Sequence, residues 1–141
     1  MRLAVVLFGA ILALAGCSKP KERSVDGAWI RLPAVRSQPA AAYFTVHGGK
    51  TDATLIAVSS DVAIRSELHE SMATAMKPVA AVPIPATNTV AFRPGGRHVM
   101  LYDLSPTVKP GTKLTLTFTF GDGERILQDA NVLDAGAPVP G

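Results

Sequence analysis

With one cysteine in 141 residues, at position 17, this chain cannot form an internal disulfide. An ordinary apolar core must therefore hold the fold, even in a compartment that permits disulfides. Charge of one sign is also scarce: 14 Lys and Arg stand against 11 Asp and Glu, with no block of like charges. A nucleic-acid partner would need a basic patch or stacking aromatics; aromatic residues make up 6% of the chain, and neither feature is visible. No apolar run reaches the roughly 20 residues that span a bilayer, because Lys19, Lys21, Glu22 and Arg23 end the one candidate too early. Helical periodicity is almost absent, and there is no internal repeat.

What is present begins with that short run. Arg2 precedes twelve apolar or small residues, 3–14, in the manner of a signal peptide. The run ends in Leu14-Ala15-Gly16-Cys17, which resembles a bacterial lipoprotein cleavage box. That resemblance implies cleavage before Cys17, lipidation of its thiol and new amino group, and a lipid-anchored protein of the periplasm or cell envelope. Loss of Arg2 lowers the formal net charge from +3 to +2. The expected organisation is a signal peptide over 1–16, a lipidated Cys17 and tether over 17–25, one domain over 26–134, and a flexible tail over 135–141.

Within the domain, Lys113-Leu114-Thr115-Leu116-Thr117-Phe118-Thr119-Phe120 alternates apolar residues with Thr, as in a strand with one buried face. Further strands are expected at 28–32, 41–46, 53–59, 64–70, 76–79, 89–92, 98–104 and 125–132. Between them stand the turn signals Gly48-Gly49, Pro94-Gly95-Gly96, Lys109-Pro110-Gly111 and Gly121-Asp122-Gly123. Many short strands at this spacing predict an all-β, antiparallel Greek-key sandwich or barrel.

The residues that carry chemistry cluster. Met72, Met76 and Met100, the three methionines outside the signal peptide, fall within the stretch bounded by His69 and Met100, which also holds His98. Thioether sulfur is a soft, neutral ligand that suits Cu(I), and imidazole accepts several transition metals. Zinc sites draw instead on Cys, His and carboxylates, and a blue-copper centre needs a thiolate that a lipidated Cys17 cannot give. Strand alternation puts His98 and Met100 on one face, with Tyr102, and Val99 and Leu101 on the other. In the same way Leu68 is expected to point inward and His69 outward, with 70–75 as a hairpin turn returning through Met76-Lys77-Pro78. Methionine is also a common core filler and a lone His a common structural residue, so a metal-free β-sandwich lipoprotein that binds a protein or glycan remains open. Triads drawn from Ser66, His69 and Asp61, or from His98 and Asp103, lack a Gly-x-Ser-x-Gly elbow, and nothing points to an enzyme. His47, beside the Gly48-Gly49 turn, is expected to be exposed.

The region from Ala28 to Val132 resembles the periplasmic copper chaperones called PCu(A)C. Their pattern is a His, ten residues, a Met, twenty-one residues, then His-x-Met. Here twenty-one residues separate Met76 from His98-Val99-Met100, while six separate His69 from Met76, which fits a shortened hairpin tip. Ala28-Trp29-Ile30-Arg31, Ala41-Ala42-Tyr43-Phe44-Thr45-Val46, Glu67-Leu68-His69-Glu70 and Arg93-Pro94-Gly95-Gly96-Arg97 extend the likeness. The resemblance implies a cupredoxin-like fold and one Cu(I) per domain held by His69, Met76, His98 and Met100, with Met72 in reserve. It also implies delivery of copper to the dinuclear copper centre of cytochrome c oxidase, alongside a Sco-type thiol protein. Storage or resistance would use the same ligands.

Overall fold

The computed structural model describes residues 22–141. Cys17 and the signal segment lie outside the described residues. Ten strands follow in order: β1 (Ser24–Arg31), β2 (Ala40–His47), β3 (Ala53–Ser59), β4 (Ala63–Met72), β5 (Ala75–Val79), β6 (Val82–Ile84), β7 (Thr89–Phe92), β8 (His98–Leu104), β9 (Lys113–Phe120) and β10 (Arg125–Leu133). In β9 the alternation works as the pattern demands: Leu114, Leu116, Phe118 and Phe120 are buried, and the intervening threonines are half-buried or exposed. Strand β6 was not expected, because Pro83 interrupts its run. It forms as an edge strand, where a missing N–H costs no ladder bond.

The sheet order is β5-β4-β8-β2-β1-β10-β9-β3-β6, with β7 pairing β2 just beyond β8. The other ladders are antiparallel as expected, but β1 and β10 run parallel, Trp29 opposite Asn131 and Ile30 opposite Val132. The all-β class therefore stands with a mixed sheet. The sheet curls on itself: Phe44 of β2 stacks on Phe92 of β7 at 4.2 Å and meets the edge of Phe118 of β9 at 4.6 Å between ring centroids. Around these rings Ile30, Val46, Leu55, Val58, Val99, Leu101 and Val132 complete the core. The Ser66 hydroxyl donates to the Val58 carbonyl, tying β4 to β3 where the curl closes.

Both ends of the described region make contacts with the domain. Strand β1 starts at Ser24, inside the stretch expected to be tether, and Val25 is buried. The guanidinium of Arg23 lies 4.3 Å over the Phe120 ring and pairs with Asp122, at 3.0 Å, and with Glu124. The tail is not free of the domain: Arg31 donates to the Ala137 carbonyl at 3.0 Å, and Pro140 and Gly141 line hollows that also include Trp29.

Strand direction places the elements that matter. Strand β4 is antiparallel to β8, and β8 to β2, so β4 and β2 run the same way. Strand β1 runs against β2, with Ser24 opposite His47. The β4–β5 hairpin tip therefore points toward the end of the sheet at which β1 begins.

Candidate metal centre

The β4–β8 ladder pairs His69 with His98 directly, Leu68 with Val99, Glu67 with Met100 and Arg65 with Tyr102. Alternation sends Leu68 and Val99 into the core. The opposite face receives Arg65, Glu67 and His69 from β4, and His98, Met100 and Tyr102 from β8. Strand β5 pairs antiparallel with β4, Pro78 opposite His69 and Met76 opposite Ser71. Met76 thus joins the histidine face. Met72, opposite Ala75, alternates onto the other face. The turn between the strands is only Ala73-Thr74, so β4 and β5 occupy most of the stretch expected as a loop.

The histidine face is not the wet face that alternation alone predicts. His69 is 7% exposed and His98 4%. They belong to a row of rings lying across the strands: Trp29 packs on Tyr43 at 4.5 Å, Tyr43 neighbours His98 at 6.5 Å, and His98 neighbours His69 at 5.5 Å between centroids. Burial pushes the Tyr43 hydroxyl pKa up, against the opposing charge of Arg31. The methionines occupy the open side. Met100 is half-buried, while Met76 is 58% and Met72 61% exposed.

Each buried imidazole has one nitrogen engaged by an atom that can only accept. His69 Nε2 lies 2.9 Å from Glu67 Oε2, and His98 Nδ1 lies 2.9 Å from the Gly96 carbonyl oxygen. Both engaged nitrogens must therefore be the protonated donors. The remaining nitrogens, His69 Nδ1 and His98 Nε2, are buried without a hydrogen-bond partner among the described residues. In neutral rings these atoms carry lone pairs. Buried acceptors are normally satisfied, so two without a partner on directly paired residues mark a place where a ligand could bind. Among the described residues no group of three or more His, Cys, Asp or Glu side chains converges as metal ligands. The sulfur donors on the same face are the thioethers of Met100 and Met76.

Glu67 was quoted in the sequence only as part of a motif, without a role. It anchors the outer side of the pair: its carboxylate accepts from His69, from the Tyr102 hydroxyl at 3.2 Å and from Arg65, whose guanidinium lies 3.8 Å over the Tyr102 ring. The His69 hydrogen bond, more than Arg65 and Tyr102, holds the Glu67 pKa below the usual carboxylate range, against partial burial. Partial burial, then the Glu67 charge, raises that of Tyr102. The i, i+2 spacing of Glu67 and His69 was the available signal, since it puts both on one strand face. Glu70 turns away to Arg97 at 2.7 Å. Ser66, committed to Val58, and His69, committed to Glu67, do not form a triad. His47 is half-buried rather than fully exposed, bonded through both nitrogens to Asp26 at 3.0 Å and Thr89 at 3.2 Å.

Comparison with known proteins bears on this arrangement. Residues 24–132 match the family model described as "Putative lipoprotein LpqE-like". The chain is similar to "Putative lipoprotein Lxx21020" of Leifsonia xyli subsp. xyli (strain CTCB07), 28% identical over 138 residues, covering 85% of this chain and 82% of that protein. It superposes on the copper-bound PCuAC domain from PmoF2 with a TM-score of 0.70 at 24% identity, covering 82% of this chain and 95% of that one. The solution structure of CuI-DR1885 from Deinococcus radiodurans gives 0.62 at 25% identity, covering 86% and 83%. These likenesses show that the curled sheet is the cupredoxin-like fold of PCuAC domains.

Proposed function

This chain belongs to the LpqE-like lipoprotein family, and we propose from that premise that it is a copper chaperone whose cargo is a single Cu(I). One observation carries the proposal: His69 Nδ1 and His98 Nε2, buried and unpartnered, on residues directly opposed across β4 and β8. With Met76 and Met100 on the same face, the donor set is two neutral imidazoles and two neutral thioethers. It adds no negative charge of its own, so it suits a monovalent soft ion and gives Zn(II) none of the thiolate or carboxylate ligands it prefers. The copper-bound PCuAC domain from PmoF2 and CuI-DR1885, on the same fold, support the assignment.

The placement of the ligands also fits transfer. The histidines are enclosed, whereas Met76 stands on an exposed edge strand beside a two-residue turn. An acceptor can displace the Met76 sulfur from outside while the imidazoles still hold the ion. Within this proposal, lipidation of Cys17 keeps the domain at a membrane of the cell envelope. The recipient is a membrane client such as the dinuclear copper centre of cytochrome c oxidase, working with a Sco-type thiol protein. The lipoprotein family supports the anchoring, and the copper-bound PCuAC-type fold supports the cargo.

The test is anaerobic Cu(I) titration of the purified mature chain against a competing chelator, with Zn(II) in parallel. One equivalent of Cu(I), bound far more tightly than zinc, is expected. Absence of Cu(I) binding, or zinc binding as strong, overturns the proposal.

A further inference from the structure

We propose that Glu67 is a positioning residue for the metal site: its carboxylate accepts the hydrogen bond from His69 Nε2–H and so obliges that ring to ligate through Nδ1. This inference rests on the copper reading for its consequence, but on hydrogen-bond geometry for its cause. A neutral imidazole carries one proton, and which nitrogen holds it decides which is left to bind a metal. Glu67 Oε2, 2.9 Å from His69 Nε2, is an ionised acceptor and cannot donate to a bare nitrogen. The tautomer with a bare Nε2 would place two sets of lone pairs against each other. The carboxylate is itself held from two further sides, by the Tyr102 hydroxyl and by Arg65, and Arg65 is in turn stacked on the Tyr102 ring. Glu67 therefore has little freedom to follow the imidazole if it turns.

His98 is set in the opposite sense by a backbone atom, the Gly96 carbonyl, which accepts from Nδ1 and leaves Nε2 bare. The pair would thus ligate through unlike nitrogens, Nδ1 of His69 and Nε2 of His98. The side-chain acceptor is the half of this arrangement that substitution can remove. The side chain of Glu67 is 33% exposed and contributes nothing to the apolar core, so the fold tolerates its replacement.

The experiment has two readouts on the full mature chain. The first needs no metal: ring-nitrogen NMR of the apo protein, which distinguishes protonated from bare imidazole nitrogens. The parent is expected to show His69 with Nε2 protonated and Nδ1 bare, and His98 with the reverse. Glu67→Gln keeps an acceptor oxygen but adds an amide N–H₂ that can donate to a bare Nε2, so His69 should become a mixture of tautomers. The second readout is Cu(I) affinity by chelator competition. Glu67→Ala should weaken it about 10- to 100-fold, the range found for partners that orient metal-bound histidines. Tyr102→Phe, which loosens the carboxylate without removing it, should weaken it less. A parent with Nδ1 of His69 protonated overturns the inference, as does an unchanged Cu(I) affinity in Glu67→Ala. Should the parent bind no Cu(I) at all, the copper reading falls, and the apo tautomers of parent and Glu67→Gln decide the role of Glu67 alone.

Discussion

Two faces of the same pair of strands differ more than distant parts of the chain do. Leu68 and Val99 on one face, His69 and His98 on the other, are all buried and all paired across β4 and β8. The first face closes: its apolar groups meet the Phe44, Phe92 and Phe118 cluster and leave nothing unmatched. On the second face the two histidines are buried beside Tyr43, yet they keep two nitrogens without partners. His47, on β2, gives the contrast from the other direction, since both its nitrogens are bonded. What separates His47 from His69 and His98 is the unfilled lone pair, together with deeper burial of the second two.

Substitutions can break this contrast, beginning with the closed face. Phe118→Ala should cost about 3–5 kcal/mol of stability by leaving a cavity among three rings. Chemical denaturation would measure it, and a loss under about 1 kcal/mol would mean that the cluster can collapse. On the other face, His69→Ala or His98→Ala should weaken Cu(I) binding by more than about 100-fold, beyond the effect of an orienting partner. His47→Ala should leave Cu(I) binding unchanged; equal losses from all three would remove the distinction drawn above. Met76→Leu and Met100→Leu keep apolar volume and remove sulfur, so a loss of about tenfold each (about 1.4 kcal/mol) is expected in chelator competition. Met72→Leu, on the far face, should bind as the parent does. The smallest effect lies where the chain enters. The hydrogen bond from Arg23, more than the backbone of Glu124, lowers the pKa of Asp122. A carboxylate with a depressed folded-state pKa stabilises the protein above its unfolded value, near 3.9, and that contribution disappears as pH falls through the folded value. Thermal melts of Asp122→Asn should therefore lie slightly below the parent at pH 7 and coincide with it in strong acid.

Local pattern made most of the fold legible. Strand β9 announces itself by alternation, and β3, β7 and β8 begin and end where the sequence places them. What could not be read was non-local or masked by one residue. The parallel pairing of β1 with β10 joins segments about a hundred residues apart, and Pro83 hides β6. The histidine face was expected to be open because alternation reports direction and says nothing of what packs on top. The ring beside His98 comes from Tyr43, on a strand that no local rule connects to β8. Register, likewise, puts Met76 and Met72 on opposite faces, where the sequence had only the spacing of Met76 to His98 to choose between them.

The shared direction of β4 and β2 sets how far the site can stand from an anchor. Six peptide steps separate Cys17 from Arg23, and fully extended they reach at most about 20 Å. Arg23 is pinned at the end of the sheet toward which the β4–β5 tip points. On a leash this short, a lipid at Cys17 would hold the domain with its methionine edge low over the bilayer, and the loops at 105–112 would form its outer cap. An acceptor for the ion would then have to meet it close to the headgroups, from the side.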